Sequence, residues 1–205
     1  MEEKYHEEVY AINREALTHI RLFLQGDAEA FRSLVELFGQ RVTRIVHKMV
    51  YSFHDAQDVN NEIWLKVAQN LHKYDPSLPF HSWLFRLASN TCIDYLRKKR
   101  EIVLEDDLLH FELNKGPVLA DTPESLYLEK EFHSRIAGLL EHLEEVDRLI
   151  LTLRFTEQLS YEEIGNIVGL TKNTVGTRLF RARKQLKHLY QQHVTERSVS
   201  DVSSR

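Results

Sequence analysis

The sequence predicts an all-α protein of two small helical domains joined by an acidic linker, the second domain a helix-turn-helix. Three observations predict it. Only seven glycines and four prolines occur in 205 residues that are 42% hydrophobic and 28% charged, a balance that suits helices and disfavours a β-sandwich. All four prolines, Pro76, Pro79, Pro117 and Pro123, fall between 76 and 123. The stretches 1–75 and 124–205 are therefore open to long helices, since an interior proline costs roughly 3 kcal/mol. Residues 101–131 carry nine acids against Lys115 and Lys130, a net −7 within a chain of net −4. The remainder is thus net positive.

The elements follow in order. Residues 1–21 form an N-terminal extension in which Tyr5, Val9, Ile12 and Ala16 can line an amphipathic helix. The first domain spans 22–100. Asp27 is placed to cap a helix whose buried face runs through Phe31, Leu34, Val35 and Phe38 at i, i+3, i+4, i+7 and on through Val42, Ile45, Val46, Met49 and Val50. After a break at 52–54, Ala56, Val59, Ile63, Val67 and Leu71 line the next helix. The Asp75-Pro76-Ser77-Leu78-Pro79 segment is a turn or loop. A further helix runs from about His81 to Arg100, with Leu84, Leu87, Ala88, Ile93 and Leu96 inward. Residues 101–125, with Gly116 and two prolines among the acids and no sustained apolar period, read as a linker.

The second domain spans 126–195, and 196–205 is a polar, disordered tail. Leu139 to Leu153 fit two helices meeting near Glu144. Ser160 and Glu163 have the spacing of a capping box. Gly169 suits the left-handed residue that ends a short helix, and Thr171 can cap the next. A short helix, a glycine-containing turn and a second capped helix make the helix-turn-helix pattern, with Gly165 leaving room where the helices cross. On a wheel of 100° per residue, Val175, Leu179, Ala182, Leu186 and Leu189 share one face of that second helix. Asn173, Thr177, Phe180 and Lys184 lie opposite, flanked by Arg181 and Lys187. Lys172 to Lys187 contain six cations and no acid. A cationic, amide-bearing helix face fits a major groove: Asn and Arg read base edges, an apolar group touches a thymine methyl, and lysines neutralise phosphates. A second basic cluster, Arg97-Lys98-Lys99-Arg100, ends the first domain. Local rather than net charge sets the field that a polyanion meets.

Other chemistries are excluded or unsupported. A lone cysteine, Cys92, excludes an internal disulfide and a Cys-rich zinc site. The eleven histidines are scattered without the i, i+4 spacing of a zinc motif, so no metal is expected. No Walker loop, dinucleotide fingerprint or nucleophile triad occurs, and neither an enzyme nor a cofactor is expected. No apolar run approaches the ~18 residues of a membrane span. MEEKYHEE has the character of neither a signal nor a transit peptide. A cytoplasmic location and no membrane insertion are expected.

Three ordered segments resemble the bacterial extracytoplasmic-function (ECF) group of RNA polymerase sigma factors. Asp55 to Val67 (DAQDVNNEIWLKV) resembles the core-binding helix of sigma factors. Tyr74 to Arg100 (YDPSLPFHSWLFRLASNTCIDYLRKKR) resembles the −10-recognition segment of the ECF group, and Leu159 to Leu186 its −35-reading region. Gly26 to Phe31 also matches the start of that group's first domain. The resemblance implies that Asp58, Asn61 and Glu62 face the clamp helices of the polymerase β′ subunit; the three do share one helix face at i, i+3, i+4. The family commonly has Gln where Asn61 stands. The resemblance further implies that Phe80, His81 and Asn90, with the loop around 78–82, engage the −10 strand, and that Arg97, Lys98, Lys99 and Arg100 follow its backbone. Lys172, Asn173, Thr174, Thr177, Arg178, Phe180, Arg181 and Lys184 are the candidates for the −35 duplex. Many relatives carry Lys or Arg where Gly176 stands. Implied partners are core RNA polymerase, through the β′ clamp helices and the β flap, promoter DNA and an anti-sigma factor.

Opening a promoter without ATP requires tighter binding of the single strand than of the duplex. Aromatic platforms, amides and cations are the groups for that task, and the 74–100 segment supplies all three. The alternative is a stand-alone helix-turn-helix regulator that binds two half-sites as a dimer. Two unlike basic units on an acidic connector favour the sigma-factor reading.

Overall fold

The computed structural model describes the backbone of residues 2–106 and 138–202, with side chains within 11–102 and 138–192. Among these residues every regular element is a helix. The N-terminal extension is a helix, α1 (Glu2–Leu24), which continues past the expected boundary at residue 21. Ala16 and Ile20 are buried and Ile12, Leu17 and Phe23 partly so, where α1 packs on α2 (Ala28–Met49). The side chains of Tyr5 and Val9 lie outside the described residues.

Gly26, at a φ of 103°, makes the turn between the two helices. Asp27 then caps α2 by accepting from the Glu29 amide at 3.0 Å. The buried stripe of α2 (Ala30, Leu34, Phe38, Val42, Ile45, Val46, Met49) repeats with the helical period. Ser52 caps α3 (Phe53–Asn70) by accepting from Asp55 N at 3.3 Å. Ala56, Val59, Ile63 and Val67 point inward. A 3₁₀ turn, Leu71–Lys73, leads to the Pro-rich loop and to α4 (Phe80–Asp106).

Helix α4 runs beyond Arg100, so residues 101–106 are helical rather than part of the linker. Nothing there breaks a helix, since the next glycine or proline is Gly116. The rest of the expected linker, and residues 126–137, lie outside the described residues.

A helical turn over 138–141 precedes α5 (Glu145–Phe155), α6 (Tyr161–Val168) and α7 (Lys172–Val202). The backbone is helical as far as Val202, where a frayed tail was expected from residue 196; residues 203–205 are outside the described residues. The second set of helices packs on the first. Helix α5 meets α2 and α4, and α6 lies on α4. Buried apolar side chains from both sets form one continuous core, from Ala16 and Leu34 to Ile164 and Leu179.

Candidate nucleic-acid interface

Local chemistry builds the helix-turn-helix. Ser160 Oγ accepts from Glu163 N at 3.2 Å and Glu163 Oε2 accepts from Ser160 N at 2.8 Å, a complete capping box that starts α6. Gly169 ends α6 at φ 74°, ψ 32°. Thr171 Oγ1 accepts from Thr174 N at 3.2 Å to start α7. A Cβ on Gly165 would stand 2.5 Å from the Leu170 carbonyl oxygen, so the close approach of the turn to α6 requires glycine.

Val175, Leu179 and Ala182 of α7 are buried, which turns Lys172, Asn173, Thr177, Phe180, Arg181 and Lys184 to solvent. Phe180 is 70% exposed, an aromatic held in water on a cationic face. A shallow groove joins it to Lys172, Asn173, Gly176 and Thr177, with Tyr161 as the far wall. Tyr161 was not foreseen. It stands directly after the Ser160 cap, at the first turn of α6, and that position was the available signal. Thr177 Oγ1 donates to the Asn173 carbonyl at 3.0 Å, and the Thr174 hydroxyl meets that of Thr171 at 2.8 Å. The Thr174 hydroxyl is thus engaged in the cap.

Arg178 departs from the expectation. Its Nη1 donates to Asp147 Oδ1 at 2.8 Å and to Glu144 Oε2 at 3.0 Å, and these carboxylates hold its pKa above the ordinary value. It lies only about 60° from Val175 on the wheel, so it ties α7 to the start of α5 instead of facing outward.

Helix α4 divides its candidates in the same way. Phe80 is fully buried in an aromatic cluster, its ring 5.3 Å from Phe38 and 5.3 Å from Tyr74 between centroids. It is a core ring, not one presented to a strand. His81 is 2% exposed. Asn13 of α1 brackets it, accepting from the His81 amide at 3.1 Å and meeting ring Nδ1 at 2.8 Å. In this packing neither side chain is available to a base. Asn90, Arg97 and Lys98 are exposed. Lys99 Nζ donates to Asp55 Oδ2 at 2.6 Å, which keeps the Asp55 carboxyl below its ordinary range, with help from Tyr95. Arg100 pairs with Glu145 of α5. Of the four-cation cluster, two members are therefore already bound to carboxylates.

On α3, Asp58, Asn61 and Glu62 are all exposed on one face, and Glu62 also pairs with Lys66 at 2.7 Å. Leu65 extends that face with 63% of its surface exposed. It had not been singled out, although its i+3 spacing from Glu62 carried the signal.

Comparison with known proteins decides the family. Residues 34–102 match the model of Sigma-70 region 2, and residues 133–186 that of Sigma-70 region 4. Over 172 residues the chain is 33% identical to the ECF RNA polymerase sigma-E factor of Escherichia coli K12, covering 82% of this chain and 90% of that protein. This chain belongs to the ECF RNA polymerase sigma factors.

The Haemophilus influenzae sigma-E factor is 31% identical over the same shares, and SigW of Bacillus subtilis is 28% identical over 82% of this chain and 92% of its own. Among solved structures, CnrH in complex with the cytosolic domain of CnrY superposes with a TM-score of 0.64 at 23% identity, covering 89% of this chain and 98% of that one. The sigma factor RpoE of Bartonella quintana, in complex with the anti-sigma factor NepR, gives 0.65 at 19% identity, covering 80% and 98%. The ECF fold is thus that of this chain. The chain is a promoter-recognising sigma factor, and the dimeric-regulator alternative is not favoured.

Proposed function

We propose that this ECF sigma factor directs core RNA polymerase to its promoters through three surfaces. The face of α3 that carries Asp58, Asn61 and Glu62 docks on the polymerase β′ clamp helices. Helix α4, through Asn90, Arg97 and Lys98, captures the unpaired −10 strand. Lys99 and Arg100 join once their carboxylate partners release them. Helix α7 reads the −35 duplex with Asn173, Thr177, Phe180, Arg181 and Lys184, and Lys172 anchors its start on a phosphate.

The observation that carries this reading is the outward face of α7: an exposed Phe180 among amides and cations, directly after a capped turn. The cations and amides of that face are complementary to a major groove, where the ring can meet a thymine methyl. The division into a polymerase-binding, −10 domain over 22–100 and a −35 domain over 126–195 belongs to the same proposal. So do the absence of catalysis, a cytoplasmic site of action, a contact with the β flap and control by an anti-sigma factor. No described helix is long and apolar enough to cross a membrane.

The test is transcription in vitro from a genomic promoter library with purified core enzyme. Addition of the chain should produce discrete starts that core alone does not make. Asp58→Ala combined with Glu62→Ala should abolish them while leaving duplex binding intact. A chain that binds duplex DNA as a dimer and produces no starts with core overturns the reading.

A further inference from the structure

Helix α4 opens without a cap of its own. It starts at Phe80, directly after Pro79, and a proline side chain has no polar atom with which to accept from the first turn. The Ser82 and Trp83 amides turn back to the Pro79 carbonyl at 3.1 and 3.5 Å. The His81 amide is met from a different helix. Asn13 of α1, 68 residues upstream, accepts from it through Oδ1 at 3.1 Å. This is the task of an N-cap residue, carried out across the fold. Asn13 Nδ2 lies 2.8 Å from Nδ1 of the His81 ring. An amide nitrogen only donates, so Nδ1 accepts and the ring proton sits on Nε2. That nitrogen faces Ser82 Oγ at 3.3 Å and Glu163 of the second set at 3.8 Å.

Helix α1 holds Asn13 in place. Ala16 and Ile20 are buried where α1 packs on α2, and Asn13 precedes Ala16 by three residues on the same face. A polar side chain on that buried stripe needs a partner, and the start of α4 supplies it. Asn13 and His81 both belong to the first set of helices. Their contact therefore does not depend on the seam between the two sets, where Glu157 is buried against Arg41 and Arg44 and Glu145 meets Arg100.

The capped end stands beside an exposed loop. Asp75, Pro76, Ser77, Leu78 and Pro79 all face solvent, Leu78 with 58% of its surface. The loop nevertheless has a fixed shape. Asp75 Oδ1 accepts from the Ser77 amide at 2.9 Å, and the Asp75 carbonyl accepts from Leu78 N at 3.1 Å. The buried Tyr74 donates its hydroxyl to the Leu78 carbonyl. Tyr74 thus pins the loop itself, and Asn13 pins the helical turn that follows it. Along α4, Trp83, Asn90 and Arg97 recur every seven residues, each within about 20° of the next around the helix. The face that carries Asn90 and Arg97 therefore runs back to the loop, which closes its N-terminal end about 15 Å from Asn90.

We propose that Asn13 is a positioning residue for capture of the −10 strand. From the N-terminal extension it caps α4 and keeps the 75–79 loop in place as the preformed end of the strand-binding face. A loop already in its bound shape loses less conformational entropy when a strand arrives. That gain belongs to the strand-bound state and leaves the duplex on α7 untouched. The inference rests on the assignment of −10 binding to α4.

The experiment uses the full chain assembled with purified core polymerase, and two pieces of the strongest promoter selected from the library. One is the non-template strand across the −10 element and the other is the upstream −35 duplex. Binding is followed by fluorescence anisotropy, in conditions where urea titration shows every variant folded. Asn13→Ala should bind the −10 strand about fivefold more weakly, the equivalent of one lost helix cap, and the −35 duplex as the wild type does. Asn13→Asp should restore the strand affinity. Its carboxylate still accepts from the His81 amide, suits a helix N-terminus and is met by the ring with its proton on Nδ1.

Ile20→Val thins the same buried stripe of α1 without touching the cap. It should lower the urea midpoint and leave strand affinity unchanged, which separates positioning from stability. An Asn13→Ala chain that binds the strand like the wild type, or that loses strand and duplex together, overturns the inference while the DNA assignments stand. Failure of Asn13→Asp to recover does the same. If the wild type binds the −10 strand no better than a scrambled strand of equal length, the assignment of α4 itself fails, and the role of Asn13 with it.

Discussion

Arg178 and Arg181 lie three residues apart on α7 and have opposite fates. Arg178 is clamped by Asp147 and Glu144, whereas Arg181 is exposed. Arg181→Ala should weaken promoter binding and lower the salt slope of log K by about one if the group meets a phosphate, with Tm unchanged. Arg178→Ala should do the reverse: Tm falls, with about 1 kcal/mol lost in denaturant titration, and the salt slope stays. A slope that drops equally in both variants refutes the division.

Glu163 gives a residue-scale pH effect. Its pKa is lowered from 4.5 to about 2, chiefly by the His81 contact and then by Ser160. A depressed carboxylate stabilises the fold in full above its ordinary pKa and loses that contribution as pH falls from about 4.5 toward 2. Glu163→Gln keeps an acceptor for the Ser160 amide; it should cost up to about 1 kcal/mol at neutral pH through loss of the negative charge at the helix N-terminus and flatten this acid limb in urea titrations at stepped pH. An unchanged limb excludes Glu163 as its source. The wheel already separated the outward residues of α7 from its core face. It did not show that Arg178, at the edge of that core face, would find carboxylates 31 and 34 residues upstream, because long-range pairing leaves no local pattern.

At the scale of the element, caps and glycines set the boundaries, and these were legible. Asp27, Ser160 with Glu163, Gly169 and Thr171 act where their residue types place them. Each supplies a backbone partner that the helix end lacks. The ends of α4 and α7 were not legible, because polar, acidic residues without a breaker permit a helix as readily as a loop. Two glycines of the helix-turn-helix make opposite predictions. Gly165→Ala forces a methyl 2.5 Å from a backbone oxygen and should cost about 1–3 kcal/mol. A Cβ on Gly176 meets only the Tyr161 ring, at an ordinary 3.6 Å. Gly176→Ala should therefore gain up to about 1 kcal/mol of helix propensity. Urea midpoints for the two variants, moving in opposite directions, check both; a stable Gly165→Ala protein contradicts the close approach.

At the scale of the molecule, the sequence reveals two basic units and an acidic segment between them, but not that the units share a core. Phe80 and His81 show why. The family resemblance implies both for the −10 strand, yet one completes the aromatic cluster and the other is enclosed between Asn13 and the Glu163 side of the seam. Burial against a distant part of the chain has no period to read. The shared core has a thermodynamic signature. Elements joined through one apolar cluster unfold together, so the calorimetric and van't Hoff enthalpies should agree for the free chain at low ionic strength. Salt tests the charged part of the joint. A Debye length near 3 Å at 1 M screens the exposed members, Arg44 and Arg100, far more than the buried Glu157–Arg41 contact. Salt alone should thus lower the cooperativity ratio only partly, whereas Glu157→Arg, which sets three cations together at the centre of the seam, should split the transition in two at any ionic strength. Two resolved transitions in the wild type at low salt would show that neither the apolar contacts nor the charges between the sets couple them.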